Sequence, residues 1–159
     1  MANLSKSSRE TQNIKYWTEF CDYLELQGSQ LHSPTPTSKE KHYIAFRIGI
    51  GCVVRARQVI NSKYGPIAIT VAFVMIGTAK TYFHSLKTQQ AEIEEEFGES
   101  LKWWFSEQKK ESHIYLERKD MDPADEQDWS NQHEWIARKL ERFNEIFRPR
   151  IERLAGFNK

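Results

Sequence analysis

Little in this chain reacts, chelates or crosses a membrane. Its 159 residues include only two cysteines, Cys21 and Cys52, and they form no metal or redox spacing. Both sit in apolar-patterned segments, so two buried free thiols are expected. No basic, apolar and small-residue signal pattern opens the chain, which points to a reducing cytoplasm. The longest apolar run, Pro66 to Gly77, falls short of the ~20 residues a membrane helix needs, so no membrane is expected as a partner. His32, His42, His84, His113 and His133 show no H-E-x-x-H or H-x-x-E-H spacing, and C-x-x-C is missing too. That argues against a zinc centre. The sequence also lacks a G-x-S-x-G elbow, a phosphate-cradling glycine loop and a dinucleotide fingerprint. The residues therefore predict no cofactor, no metal and no catalytic group.

What is present is a core. Five Trp, nine Phe and six Tyr supply large apolar side chains, enough for one domain over residues 1–159. Flexible ends are expected at 1–7, a loop at 29–41, and a tail at 149–159 after Pro149. The run Ile67 to Ile76 reads as a buried strand with unequal faces. Ile67, Ile69, Val71, Phe73 and Met75 point one way, toward a layer of helices; the smaller Ala68, Thr70 and Ala72 point the other.

Ser7 to Glu10 fits a capping box, followed by a helix burying Ile14, Trp17, Phe20, Cys21 and Leu24, with Gly28 as its stop. Tyr43 to Ile50 alternates, with Ile44, Phe46, Ile48 and Ile50 on one side and Tyr43, Ala45 and Arg47 on the other. Cys52 to Ile60 is the next strand, with Arg55 and Arg57 sharing a side, and a turn at 61–65 leads into the central strand. Three strands so closely joined predict an antiparallel meander. Thr78 is expected to cap a single helix through Ala79, Phe83, Leu86, Ile93 and Phe97, ended by Gly98 and exposing Glu92, Glu94, Glu95 and Glu96. A hairpin follows, Leu101, Trp103 and Phe105 alternating with Lys102 and Trp104, then returning through Ile114 and Leu116. Asp122-Pro-Ala-Asp125 opens a last amphipathic helix through Trp129, His133, Ile136, Leu140, Phe143 and Phe147, which Pro149 should end or kink. His133 reads as a satisfied boundary histidine. The order α-β-β-β-α-β-β-α predicts an α+β fold, a mostly antiparallel five-stranded sheet with helices packed on one face.

Charge is unevenly spread. Residues 39–87 carry eight basic side chains against Glu40 alone, while residues 88–147 carry sixteen acids against eight bases. Glu117-Arg-Lys119 and Glu107-Gln-Lys109 both have the E-x-K form of metal-dependent nucleases. The hairpin, however, should hold Glu107 and Glu117 more than ~10 Å apart along the strand, too far to share an ion. The candidate docking residues are Arg47, Arg55 and Arg57 on adjacent strands, Tyr43 beside them, and Lys39, Lys41 and Lys63 at the loops. Arginines clamp phosphates and a neighbouring aromatic stacks on a base. The leading reading gives the same charges to a homo-oligomer or a protein partner, the basic part of one surface meeting the acidic part of another, with nucleic-acid binding as the alternative.

Tyr16-Trp17 and Phe20, Phe46-Arg-Ile-Gly49, Leu86 through Gln89-Gln90 to Ile93-Glu94 and Phe97-Gly98, then Trp103, Ile114, Asp125, Trp129, Trp135 and Phe143, together resemble a prokaryotic family, domain of unknown function 4268. The likeness spans roughly residues 14 to 151. Its landmarks are aromatic and aliphatic and so speak for the fold. Members often follow a nuclease-like domain of the PD-(D/E)XK kind and lie near restriction or phage-defence genes. The resemblance therefore implies an accessory binding subunit, without cleavage activity of its own, in host defence or phage counter-defence. DNA or RNA and a protein partner both remain open as its target.

Overall fold

The computed structural model describes residues 6–31, 42–59 and 68–156, with side chains from Thr11 onward. The capping-box side chains, most of the 29–41 loop, the 61–65 turn, Ile67, and Lys39, Lys41 and Lys63 lie outside the described residues. The elements run α1 (Lys6–Leu26), β1 (Tyr43–Gly49), β2 (Cys52–Val59), β3 (Ala68–Ile76), α2 (Tyr82–Lys87), α3 (Gln90–Phe97), β4 (Lys102–Trp104), β5 (Glu111–Arg118) and α4 (Trp129–Leu154). The α+β reading holds. The strands form one five-stranded sheet in the order β1-β2-β3-β5-β4, and every neighbouring pair is antiparallel.

The central strand sorts its side chains by period two. Ile69, Val71, Phe73 and Met75 are fully buried beneath α4, where Phe147 stacks on Phe73 at 4.7 Å between ring centroids. Ile136, Leu140 and Phe143 extend the same apolar stripe along α4, each burial contributing about 2 kcal/mol. From α1, Tyr16, Trp17, Phe20 and Leu24 enter this core. Ile14, expected inside, is 41% exposed, and Tyr16 is buried in its stead. Tyr16 tolerates burial because its hydroxyl donates to Gln132 Oε1 at 2.7 Å, a partner on a distant helix. Cys52 is buried and Cys21 only half-buried; burial pushes the Cys52 thiol up to about 11.

Four local expectations change. The helix foreseen from Thr78 to Phe97 is a 3₁₀ turn, Gly77–Thr81, followed by two separate helices, and no side chain caps its start. The break at Thr88 has a polar cause. The Thr88 hydroxyl donates to the Ser85 carbonyl at 2.6 Å, and the Gln89 amide takes the Leu86 carbonyl, a three-residue bond that tightens the turn. Glu94, read as exposed, is instead half-buried, and its Oε2 accepts from the Leu101 amide at 2.9 Å and Trp103 Nε1 at 3.0 Å. Helix α4 runs through Pro149 to Leu154, so the proline does not end the helix. Pro149 is exposed, while the next two residues anchor the turn. Arg150 is buried, donating to Gln89 Oε1 at 3.0 Å and to the Ile146 carbonyl at 2.9 Å and pairing with Glu92 and Glu96 of α3. Ile151 packs on Gly49, where an added Cβ would sit 2.8 Å from Ile151 Cδ1. Tertiary packing outweighs the missing amide donor here. Ile50, assigned to the inner side of β1, sits in the β1–β2 turn and is 75% exposed.

Candidate functional site

With the helical layer packed on one side of the sheet, the alternate residues of every strand make a second face. Register aligns them. Tyr43 pairs with Arg57 and Ala45 with Arg55 across β1–β2. Arg57 pairs with Thr70 and Arg55 with Ala72 across β2–β3. Thr70 and Ala72 face Glu117 and Tyr115 of β5, and Val74 faces His113. Tyr115 and His113 in turn face Lys102 and Trp104 of β4. Because Thr70 and Ala72 are short and their neighbours long, the middle of this face is a shallow hollow of about 210 Å³. Arg55 and Arg57 wall one side; His113, Tyr115 and Trp104 wall the other. A larger space, about 300 Å³, opens in the helical layer beside Gly28 and is lined by Arg138, Glu141 and Glu145. Its mixed charges select no partner chemistry, so the sheet face is the stronger candidate.

The electrostatics of the face are specific. Glu111 Oε1 lies 3.4 Å from Arg55 Nη1 and 2.7 Å from His113 Nε2. Burial pushes the Glu111 carboxyl up, but the His113 hydrogen bond and the Arg55 charge together hold it below the usual carboxylate range. Burial lowers His113 below its ordinary value despite Glu111, so the ring is neutral at pH 7. As a carboxylate only accepts, Nε2 carries the donated hydrogen. Burial also lowers Arg55, with Glu111 opposing; a guanidinium stays charged regardless. The Trp104 ring leans on His113 at 5.1 Å and is 37% exposed. Lys102 lies over Tyr115, 5.9 Å from its centroid, and 3.7 Å from Glu117. Among the described residues Arg47 and Arg57 have no ion-pair partner. On the strand residues of this face four cations (Arg47, Arg55, Arg57, Lys102) stand against two carboxylates (Glu111, Glu117), a surplus of two.

The structure thus brings Tyr43, Arg47, Arg55 and Arg57 to one side, with Arg55 already engaged by Glu111. Lys80 and Lys87, from the same basic stretch, do not join them. They lie over Phe105 and Trp103 in the helical layer. The acidic stretch is partly neutralised within the molecule, by Arg150 on Glu92 and Glu96 and by Lys139 on Glu99. Of the two E-x-K segments, Glu107 lies in the β4–β5 turn and Glu117 near the far end of β5. Among the described residues, no group of three or more His, Cys, Asp or Glu is placed to hold a metal ion. His133 is buried with Nε2 unpartnered, so it is not the satisfied boundary residue expected.

Sequence reading missed the second half of the face. Trp104 carried a usable signal, the alternation of Lys102 and Trp104 against Leu101 and Trp103, and so did His113 and Tyr115, which alternate with Ile114 and Leu116. What the pattern did not contain was the pairing of β5 with β3, which sets that hairpin beside the arginines.

Among the described residues no helix is long and apolar enough to cross a membrane. Comparison with curated proteins finds no match, and none is found among solved structures. A family model described as "Domain of unknown function (DUF4268)" matches residues 12–151. That span takes in all five strands, most of α1 and nearly all of α4, and the chain therefore belongs to the DUF4268 family.

Proposed function

We propose that this protein is a binding module whose working surface is the outer face of its sheet. One observation carries the reading: a hollow over Thr70 and Ala72 lies open between a guanidinium wall and an aromatic wall. Antiparallel sheets commonly leave one face to water, but such faces read polar. This one presents Trp104, Tyr115, Tyr43 and arginines, the side chains that dominate binding energy at interfaces. A second copy meeting it face to face is the weaker occupant, because two such faces would bring together two surpluses of positive charge. An acidic partner suits it better. A defence setting for that partner is what the family resemblance implies.

The surface is tested by placing a photo-crosslinking amino acid at Thr70, and separately at exposed Arg138 on α4, in cells of the native host. A discrete adduct from Thr70 and none from Arg138 is expected. No adduct at Thr70, or equal adducts at both positions, would remove the sheet face as the working surface.

A further inference from the structure

Resting on that reading of the sheet face, we infer that its occupant is single-stranded nucleic acid, with phosphates held along the β1–β2 arginines and bases laid on the β4–β5 aromatics. Among the side chains that line the hollow, the arginines stand on one side and Trp104, His113 and Tyr115 on the other, as suits a polymer with its charge on one edge and its π surface on the other. Five strands at ~4.8 Å spacing make a face about 19 Å wide, the scale of a sheet whose aromatics stack two or three bases. Between the walls, Thr70 and Ala72 are short enough to let sugar and base approach the sheet. Trp104 is the most exposed of the large outer-face rings, and every base offers it a face. Duplex DNA fits less well, because its π surfaces are already stacked away from a protein sheet.

The face also carries an internal competitor. Glu111 occupies Arg55 and accepts from His113, and Lys102 lies 3.7 Å from Glu117, so two of the four cations are engaged before any phosphate arrives and Arg47 and Arg57 are left for it. Neutralising that carboxylate releases Arg55 for phosphate and removes a repelling charge. Glu111 thereby sets affinity from within the site, without contacting the strand itself.

The test is fluorescence anisotropy of the full chain with a labelled 20-mer of thymidylate, across salt concentrations. With about two phosphates neutralised, the slope of log affinity on log salt is expected near about −1.4, at about −0.7 per phosphate of a single strand. Trp104→Ala should weaken binding roughly tenfold, the loss of one stacked base. Arg57→Glu should weaken it and flatten the salt slope by about 0.7. Glu111→Gln should strengthen it and steepen the slope by a similar amount, an outcome that loss of folding cannot imitate. Arg138→Glu, on α4, should leave binding unchanged, and thermal melts should show the four variants folded. Absence of binding at low salt, or binding indifferent to Trp104, Arg57 and Glu111, overturns the inference. If the oligonucleotide fails while Thr70 cross-links to a protein, the single-strand assignment falls and the sheet-face reading stands. If Thr70 gives no adduct at all, both fall together.

Discussion

Acid should destabilise this protein well before its carboxylates titrate, and the cause is His133. The ring is 4% exposed, boxed by Tyr16 at 4.5 Å and Phe20 at 5.5 Å between centroids, with Trp129 behind. It bonds the Tyr16 backbone, but burial dominates and lowers its pKa to about 4. Nε2 has no partner, so a proton there would be both a buried charge and an unmet donor. The folded value lies below the unfolded 6.5. Above pH 6.5 neither state is charged and His133 has no effect on the pH profile. Between pH 6.5 and 4 the unfolded chain binds the proton and the folded one does not, so stability falls as pH falls. At ~1.4 kcal/mol per unit, the loss reaches about 2 kcal/mol by pH 5 and about 3 near pH 4. His133→Phe removes the titration while filling the same aromatic box. The lost ring hydrogen bond costs about 1 kcal/mol, and relief of the unpartnered nitrogen offsets part of it. Urea unfolding followed by tryptophan fluorescence should find the two proteins within about 1 kcal/mol of each other at pH 7.5. At pH 5 the variant should be the more stable, its midpoint higher by roughly 0.5–1 M, since m for such a domain is about 2 kcal/mol/M. Parallel profiles for the two proteins from pH 7.5 to 5 would refute the account, because His113 and the carboxylates titrate in both.

Two backbone positions give sharper tests. Gly51 has φ +75°, and a Cβ there would lie 2.8 Å from the Ile76 carbonyl oxygen, an atom held in the sheet. Gly51→Ala should therefore cost about 2 kcal/mol or more in chemical denaturation, with a loss under ~0.5 kcal/mol counting against the β1–β2 turn as described. Pro149 lies exposed inside α4, where proline is about 3 kcal/mol worse than alanine. Some of that is offset by the stiffer unfolded chain, so Pro149→Ala should raise stability by about 1–2 kcal/mol. A destabilised variant in the same thermal melt would mean that the last turn owes its form to the proline.

The architecture was legible because period two and period 3.6 are local signals. Ile69, Val71, Phe73 and Met75 announce their face, and Leu140, Phe143 and Phe147 theirs. The convergence of Arg55 and Arg57 was legible for the same reason. Failures came where a distant group decides. Tyr16 is buried and not Ile14 because Gln132, far along the chain, accepts its hydroxyl. Helix α4 survives Pro149 because Gln89 and α3 hold Arg150. Lys80 and Lys87 left the basic cluster for aromatic rings of the hairpin. The aromatic half of the candidate face stayed hidden for want of one fact, that β5 pairs with β3.

That pairing has a consequence for the order of events during synthesis. As the nascent chain emerges, the β1–β3 meander precedes the β4–β5 hairpin and presents its cations on a sheet whose β3 edge is still bare. Such an edge templates association with other chains. It closes only when the ribosome has passed Arg118 and β5 has docked, and the greasy underside waits longer still, for α4. Ribosome-bound fragments stopped between Ile76 and Arg118 should accordingly be the ones that need a chaperone.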